Sequence, residues 1–290
     1  MPTELVLDTA CALGEGPYYD NERGRLIFVD IINQKGFSFT LDGATLDELD
    51  FPEPVSALIP RRSGGYIATL ASRVVAVSES GAITDFAVGD TNPACRSNEA
   101  RTDSRGRLWL GTMQNNIGPN REDLPVTTKI GTLHRIDADG RATRFLDGIG
   151  ISNTLVWSPD DSTLYFADTV LNRIDAYDFN ADAGTIANRR PFVTGGPGGP
   201  DGSAMDAEGC LWTARWGASC LIRYRPDGTQ DRRIDLPVVQ PTSCVFGGAD
   251  LSTLYITSAR VRLQDPGALD GSVLALDAGV KGLPCHPFAG

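Results

Sequence analysis

The sequence predicts an all-β chain folded as a six-bladed β-propeller, and three observations carry that expectation. A turn-and-strand signature recurs six times at a near-constant interval. A period-two run ending in a turn follows each copy. No stretch carries the apolar stripe of period 3.6 that marks a long helix. The signature reads Gly24-Arg-Leu-Ile-Phe-Val-Asp, Gly64-Gly-Tyr-Ile-Ala-Thr-Leu, Gly106-Arg-Leu-Trp-Leu-Gly-Thr, Ser162-Thr-Leu-Tyr-Phe-Ala-Asp, Gly209-Cys-Leu-Trp-Thr-Ala-Arg and Ser252-Thr-Leu-Tyr-Ile-Thr-Ser. Its anchors Leu26, Tyr66, Leu108, Leu164, Leu211 and Leu254 are spaced by about 46 residues, the length of a four-stranded blade.

The strand after each anchor alternates and stops at a turn, as in Phe37-Ser-Phe-Thr-Leu-Asp-Gly, Leu133-His-Arg-Ile-Asp-Ala-Asp-Gly and Leu221-Ile-Arg-Tyr-Arg-Pro-Asp-Gly, the mark of antiparallel hairpins. Six such sheets set radially leave only short edges exposed. They use residues 1–290 as one domain, overriding the two-domain possibility that length alone allows. The segment Glu4-Leu-Val-Leu-Asp is expected to complete the last blade and close the ring. The polar interval Gln114 to Lys129 reads as a mobile loop over one face.

Composition removes several function classes. The formal charge is −11 and no Lys/Arg cluster is present, which argues against nucleic-acid or anionic-membrane partners. No apolar run reaches the ~18 residues of a membrane span. The opening Met-Pro-Thr-Glu-Leu-Val lacks a basic segment leading into an apolar run, so a cytoplasmic protein with six reduced cysteines is expected. Only two histidines occur. His134 falls in an alternating strand, where a half-exposed position is expected, and His286 lies in the C-terminal tail, so a histidine cage or a Ser-His-Asp triad is hard to build.

Each blade's innermost strand precedes its anchor. Aligning those strands puts Glu15, Ser56, Asn98, Asn153, Asp201 and Ser243 at 10 or 11 positions before the anchors, a ring at one mouth of the central channel. Two carboxylates in a partly buried funnel repel unless a proton or a cation neutralises them. With an amide carbonyl beside them and no His or Cys, they form an oxygen site suited to Ca²⁺, Mg²⁺ or Mn²⁺. Arg101, Arg215 and Arg260 are expected to be structural or solvated; two of them in the funnel would favour an anionic substrate. Most tryptophans belong to the core, while Trp216, at a strand end, is a candidate pocket residue.

Five blocks in order, Leu13-Gly-Glu-Gly-Pro, Arg96-Ser-Asn-Glu, Gly111-Thr-Met, Ser152-Asn-Thr-Leu-Val-Trp-Ser-Pro-Asp and Pro200-Asp-Gly-Ser, resemble the senescence-marker-protein (regucalcin), gluconolactonase and luciferin-regenerating-enzyme family. The resemblance runs from near residue 13 to near residue 260. It implies a six-bladed propeller that binds one divalent cation, with Zn²⁺ and Fe²⁺ joining the candidates, and that hydrolyses sugar lactones. Carried over by motif, Glu15, Asn153 and Asp201 match the metal ligands, and Asp201 also matches the general base. Arg96 and Asn98 match substrate-binding residues, to which Glu99 and Asn116 are added. Relatives commonly have Asp-Gly in place of Glu99-Ala100, Asn-Gly in place of Asn153-Thr154, and an acidic residue near Asn116. These departures touch the sugar contacts more than the metal set.

The expected reaction is hydrolysis of an aldonolactone, such as gluconolactone, xylonolactone or an anionic relative, by a monomer or weak homo-oligomer. Three other classes compete: a calcium-binding regulatory propeller without turnover, a protein-binding platform, and an esterase or phosphotriesterase on the same site. Arg96 has a structural alternative in a salt bridge to Glu99.

Overall fold

The computed structural model describes residues 2–41 and 45–290. Its strands form six four-stranded antiparallel sheets, each meandering outward from an inner strand. The inner strands are Gly14–Asp20, Val55–Pro60, Cys95–Thr102, Ser152–Trp157, Gly199–Met205 and Pro241–Gly247. Each packs against the inner strands on either side, so the six close a ring around an axis. Among the described residues there is no α-helix, only a 3-10 turn at Thr169–Leu171, and no helix is long and apolar enough to cross a membrane.

The anchors behave as read. Leu26, Leu108, Leu164, Leu211 and Leu254 are fully buried on the second strand of their blades, and Tyr66, partly buried, opens the second strand of its own. Ring closure falls to Thr3–Leu7, which pairs antiparallel with Val273–Asp277 and supplies the outermost strand of the last blade. The Asp42-Gly43 turn expected in the first blade lies outside the described residues.

Two tryptophans, each directly after an anchor, share one construction. Trp109 and Trp212 are fully buried and donate Nε1–H to Asp103 (3.0 Å) and Asp206 (2.8 Å), the carboxylates six residues earlier. Those carboxylates also accept backbone N–H groups of their own turns and pair with Arg107 (2.7 Å) and Arg223 (2.7 Å). Each buried charge is therefore fully partnered, which burial requires.

His134 corrects an expectation. It does lie on a strand, Gly131–Ile136, but it is buried rather than half-exposed, with Nδ1 3.3 Å from Thr132 Oγ1. Burial lowers its basicity and keeps the ring neutral.

Candidate functional site

The decisive local feature is a β-bulge that every inner strand carries near its start. Register breaks fall at Glu15/Tyr18, Val55/Ala57, Ser97/Glu99, Asn153/Leu155, Pro200/Ser203 and Pro241/Ser243. A bulge leaves one residue unpaired and re-aims its neighbours, a common device at functional sites. Here six bulges act together at one mouth of the channel.

Four of the six ring residues, Glu15, Asn98, Asn153 and Asp201, line one cavity of about 140 Å³ there. The other two do not. Ser56 turns its hydroxyl between blades, 2.8 Å from Thr69 Oγ1 and 3.0 Å from Ser97 Oγ. Thr242 makes the matching contact, 2.8 Å from Thr257 Oγ1, so the sixth ring position belongs to Thr242 and not to Ser243. The sixth blade has one more residue between inner strand and anchor, and this shifts the alignment by one.

Glu15 and Asp201 are 8 % and 4 % exposed. Among the described residues each carboxylate takes one hydrogen bond, from the backbone N–H of the next residue, Gly16 or Gly202, and forms no ion pair with an Arg or Lys, although the charges of Arg96 and Arg101 reach Glu15. Burial first, and Glu99 second, pushes the Glu15 carboxyl up to about 8; burial, then Glu15 and Glu99, holds Asp201 well above the usual carboxylate range. The third oxygen is oriented by its neighbours. Asn153 donates Nδ2–H to Thr169 Oγ1 (2.8 Å), which turns Oδ1 toward Asn98. Two under-partnered buried carboxylates and a directed amide oxygen form a donor set that fits a hard divalent cation. Among the described residues no three His, Cys, Asp or Glu side chains gather as a metal cage, since this set has only two such members.

Around the cavity runs a continuous hydrogen-bonded chain. Arg262 donates to Asp123 through Nε (2.7 Å) and Nη2 (2.9 Å). Asn116 donates to the same carboxylate (3.0 Å) and accepts from Arg96 Nε (2.8 Å). Arg96 Nη1 donates to Asn98 Oδ1 (2.8 Å), and Asn98 donates to Ser152 O (2.8 Å) and Asn153 Oδ1 (3.3 Å). Thr169 then donates to Pro200 O (2.6 Å), beside Asp201. The chain joins the 114–129 loop to four blades. That loop is bonded within itself, through Leu124 N to Asn116 O (2.8 Å) and Gly118 N to Glu122 O (2.9 Å).

Thr154 adopts φ 42°. A β-branched residue is strained in that region. Its hydroxyl offsets the strain by donating to Asp201 O (2.6 Å) and by meeting Ser203 Oγ (2.7 Å), which ties down the backbone that carries the carboxylate.

Glu99 lies outside this cavity. It is buried farther along the channel, 3.7 Å from Arg101 Nε, so the ion pair considered for Arg96 forms with Arg101 instead. Arg101 faces the opposite mouth, a larger void of about 290 Å³ lined mainly by apolar groups such as Tyr18, Leu155, Met205 and Phe246. No two carboxylates meet there, so volume does not select the site. Arg215 and Arg260 are spent on backbone carbonyls of Pro197 (2.8 Å) and Asp270 (2.7 Å). Trp216 lines the smaller cavity. So do Asp123 and Arg262, which the sequence did not single out because both stand on loops outside the repeat.

A model of the SMP-30/gluconolactonase/LRE-like region matches residues 13–260. Regucalcin of Sus scrofa is 33% identical over 297 residues, covering 99% of this chain and 98% of the relative. The solved structure of a luciferin-regenerating enzyme superposes with a TM-score of 0.90 at 29% identity, covering 99% of both chains. Regucalcin from Agrobacterium tumefaciens, described as a calcium-binding protein, gives 0.89 at 29% identity and covers 99% of this chain and 97% of that one. This chain belongs to the SMP-30/gluconolactonase/LRE-like family.

Proposed function

We propose that this protein is a lactonase that opens sugar lactones to sugar acids, with a divalent cation held by Glu15, Asn153 and Asp201. The observation that carries the reading is the cavity shared by two under-partnered buried carboxylates, Glu15 and Asp201, and the oriented Arg96–Asn98–Asn116 network. Cation binding alone would leave that network without a purpose.

When bound, the cation supplies Lewis-acid polarisation of the lactone carbonyl and lowers the pKa of a coordinated water. The rest follows from the chain's own groups. With the cation offsetting the charge of Glu15 and Asp201, the Asp201 carboxylate would be deprotonated and would take a proton from the attacking water. The water oxygen bonds to the carbonyl carbon, the ring C–O bond breaks, and the departing oxygen takes the proton back from Asp201 while remaining tethered as the hydroxyl of the acid. Arg96, held by its hydrogen bonds to Asn98 and Asn116, presents Nη2 as a fixed donor to a ring hydroxyl, so little ordering remains to be done on binding.

The test is a pH-indicator assay of gluconolactone and xylonolactone, with and without chelator, on the wild type and Asp201→Asn. Chelator-sensitive hydrolysis that vanishes in the variant is expected. Turnover that survives both treatments, or tight calcium binding with no turnover of any lactone, would overturn the reading.

A further inference from the structure

Arg96 and Arg262 both line the cavity, and two guanidiniums at one mouth make a strong anion site by default. Asp123 changes that. It engages Nε and Nη2 of Arg262 at 2.7 and 2.9 Å, which takes one of the two edges through which a guanidinium grips a carboxylate and neutralises its charge. A competing carboxylate must displace one already held in place by the protein, without the entropic advantage of being tethered. Arg96 is similarly occupied. Nε goes to Asn116, and Nη1 goes to Ser97 O and Asn98 Oδ1, each at 2.8 Å. Only Nη2 remains for a ligand. One donor nitrogen suits a hydroxyl and does not offer the two-nitrogen fork that a carboxylate prefers.

We propose that Asp123 and Arg262 form a charge gate, making the site select lactones bearing only hydroxyls over those bearing an additional carboxylate. Asp123 is also a positioning residue, since Asn116 bridges it to Arg96. The proposal rests on the lactonase reading for its substrates but not for its binding preference. The pair is local to this mouth: Asp123 comes from the loop of blade three and Arg262 from the segment after Ser258, and both side chains are partly exposed, so substitutions there spare the core.

The experiment compares kcat/KM for gluconolactone and the corresponding glucarolactone, which adds one carboxylate, in the wild type, Asp123→Asn and Arg262→Gln. Binding of gluconate and glucarate is followed in parallel by fluorescence of Trp216. The wild type should favour the neutral lactone by about tenfold or more, and Asp123→Asn should move that ratio about a hundredfold toward the charged one, because Arg262 is released while Arg96 loses its support. Arg262→Gln should move it about tenfold the other way, since Asp123 then faces the substrate unpaired. The reversed pair, Asp123→Arg with Arg262→Asp, should restore much of the wild-type ratio. Equal effects on both lactones in both single variants would overturn the gate. A wild type that hydrolyses neither lactone would overturn the lactonase reading instead, and the gate would then stand or fall on whether Asp123→Asn strengthens glucarate binding relative to gluconate.

Discussion

Two pairs of buried carboxylates separate what holds this propeller together from what it presents to a ligand. Asp103 and Asp206, fully buried at the blade turns, accept from turn N–H groups, from a tryptophan indole and from an arginine. Glu15 and Asp201, almost as buried, receive one backbone N–H each and crowd one another and Glu99, with Arg96 and Arg101 the cations nearest Glu15. The first pair is complete without any added species. The second is complete only with a proton or a cation, so burial alone does not mark a functional carboxylate; burial without partners does.

The sharpest way to break this comparison is to remove one charge from each pair. Asp201→Asn should lower lactone turnover by about a thousandfold, roughly 4 kcal/mol of barrier, while the cation-free protein melts no lower than the wild type, because a repulsion has been removed. Asp206→Asn should do the reverse. It removes the carboxylate that Arg223 and the Trp212 indole share, while Arg223 keeps Glu208 and Asp231, and costs about 1–3 kcal/mol of stability, with activity retained per folded molecule. Matching losses in both variants, read by thermal melts beside activity, would erase the distinction.

Protons provide the next test. Glu15 rises from the ordinary 4.5 to about 8 in the folded, cation-free protein. The folded state therefore holds a proton that the unfolded chain gives up between those values. The stability this contributes is complete below 4.5 and is lost as pH rises through 8. A divalent cation must displace the protons that Glu15 and Asp201 hold, so its affinity should climb with pH across this window. Calorimetry in buffers of different ionisation heat would read the released proton. PH-independent affinity across this window contradicts the assignment.

A smaller effect is expected at Thr154. Replacing it with Val keeps the strained φ but removes the hydroxyl that ties Asp201 O to Ser203, at a cost of about 1–3 kcal/mol, whereas Thr154→Ser should remain close to the wild type. Denaturant midpoints separate the two.

Much of this organisation was legible in the residues because the repeat imposes it. The anchors fixed blade count and strand order, and Glu4-Leu-Val-Leu-Asp was expected to close the last blade, where Thr3–Leu7 now pairs with Val273–Asp277. Glu15, Asn98, Asn153 and Asp201 were found together because equivalent strand starts must meet at the axis. Ser243 was placed one residue off, since spacing alone does not reveal the extra residue before Leu254. Glu99 illustrates a second limit: its neighbour Asn98 opens into the cavity, while Glu99 faces deeper into the channel toward Arg101, and a linear sequence does not say on which side of a bulge a side chain falls. Asp123 and Arg262 were invisible for a different reason. They are 139 positions apart on loops with no periodicity, and only the folded mouth brings them together.

The most direct test of the central claim is a crystal structure grown with saturating Ca²⁺ above pH 8. The account predicts one ion about 2.3–2.6 Å from carboxylate oxygens of Glu15 and Asp201 and from Asn153 Oδ1. An ion bound elsewhere, or Glu15 and Asp201 left without a shared cation at that pH, would contradict it.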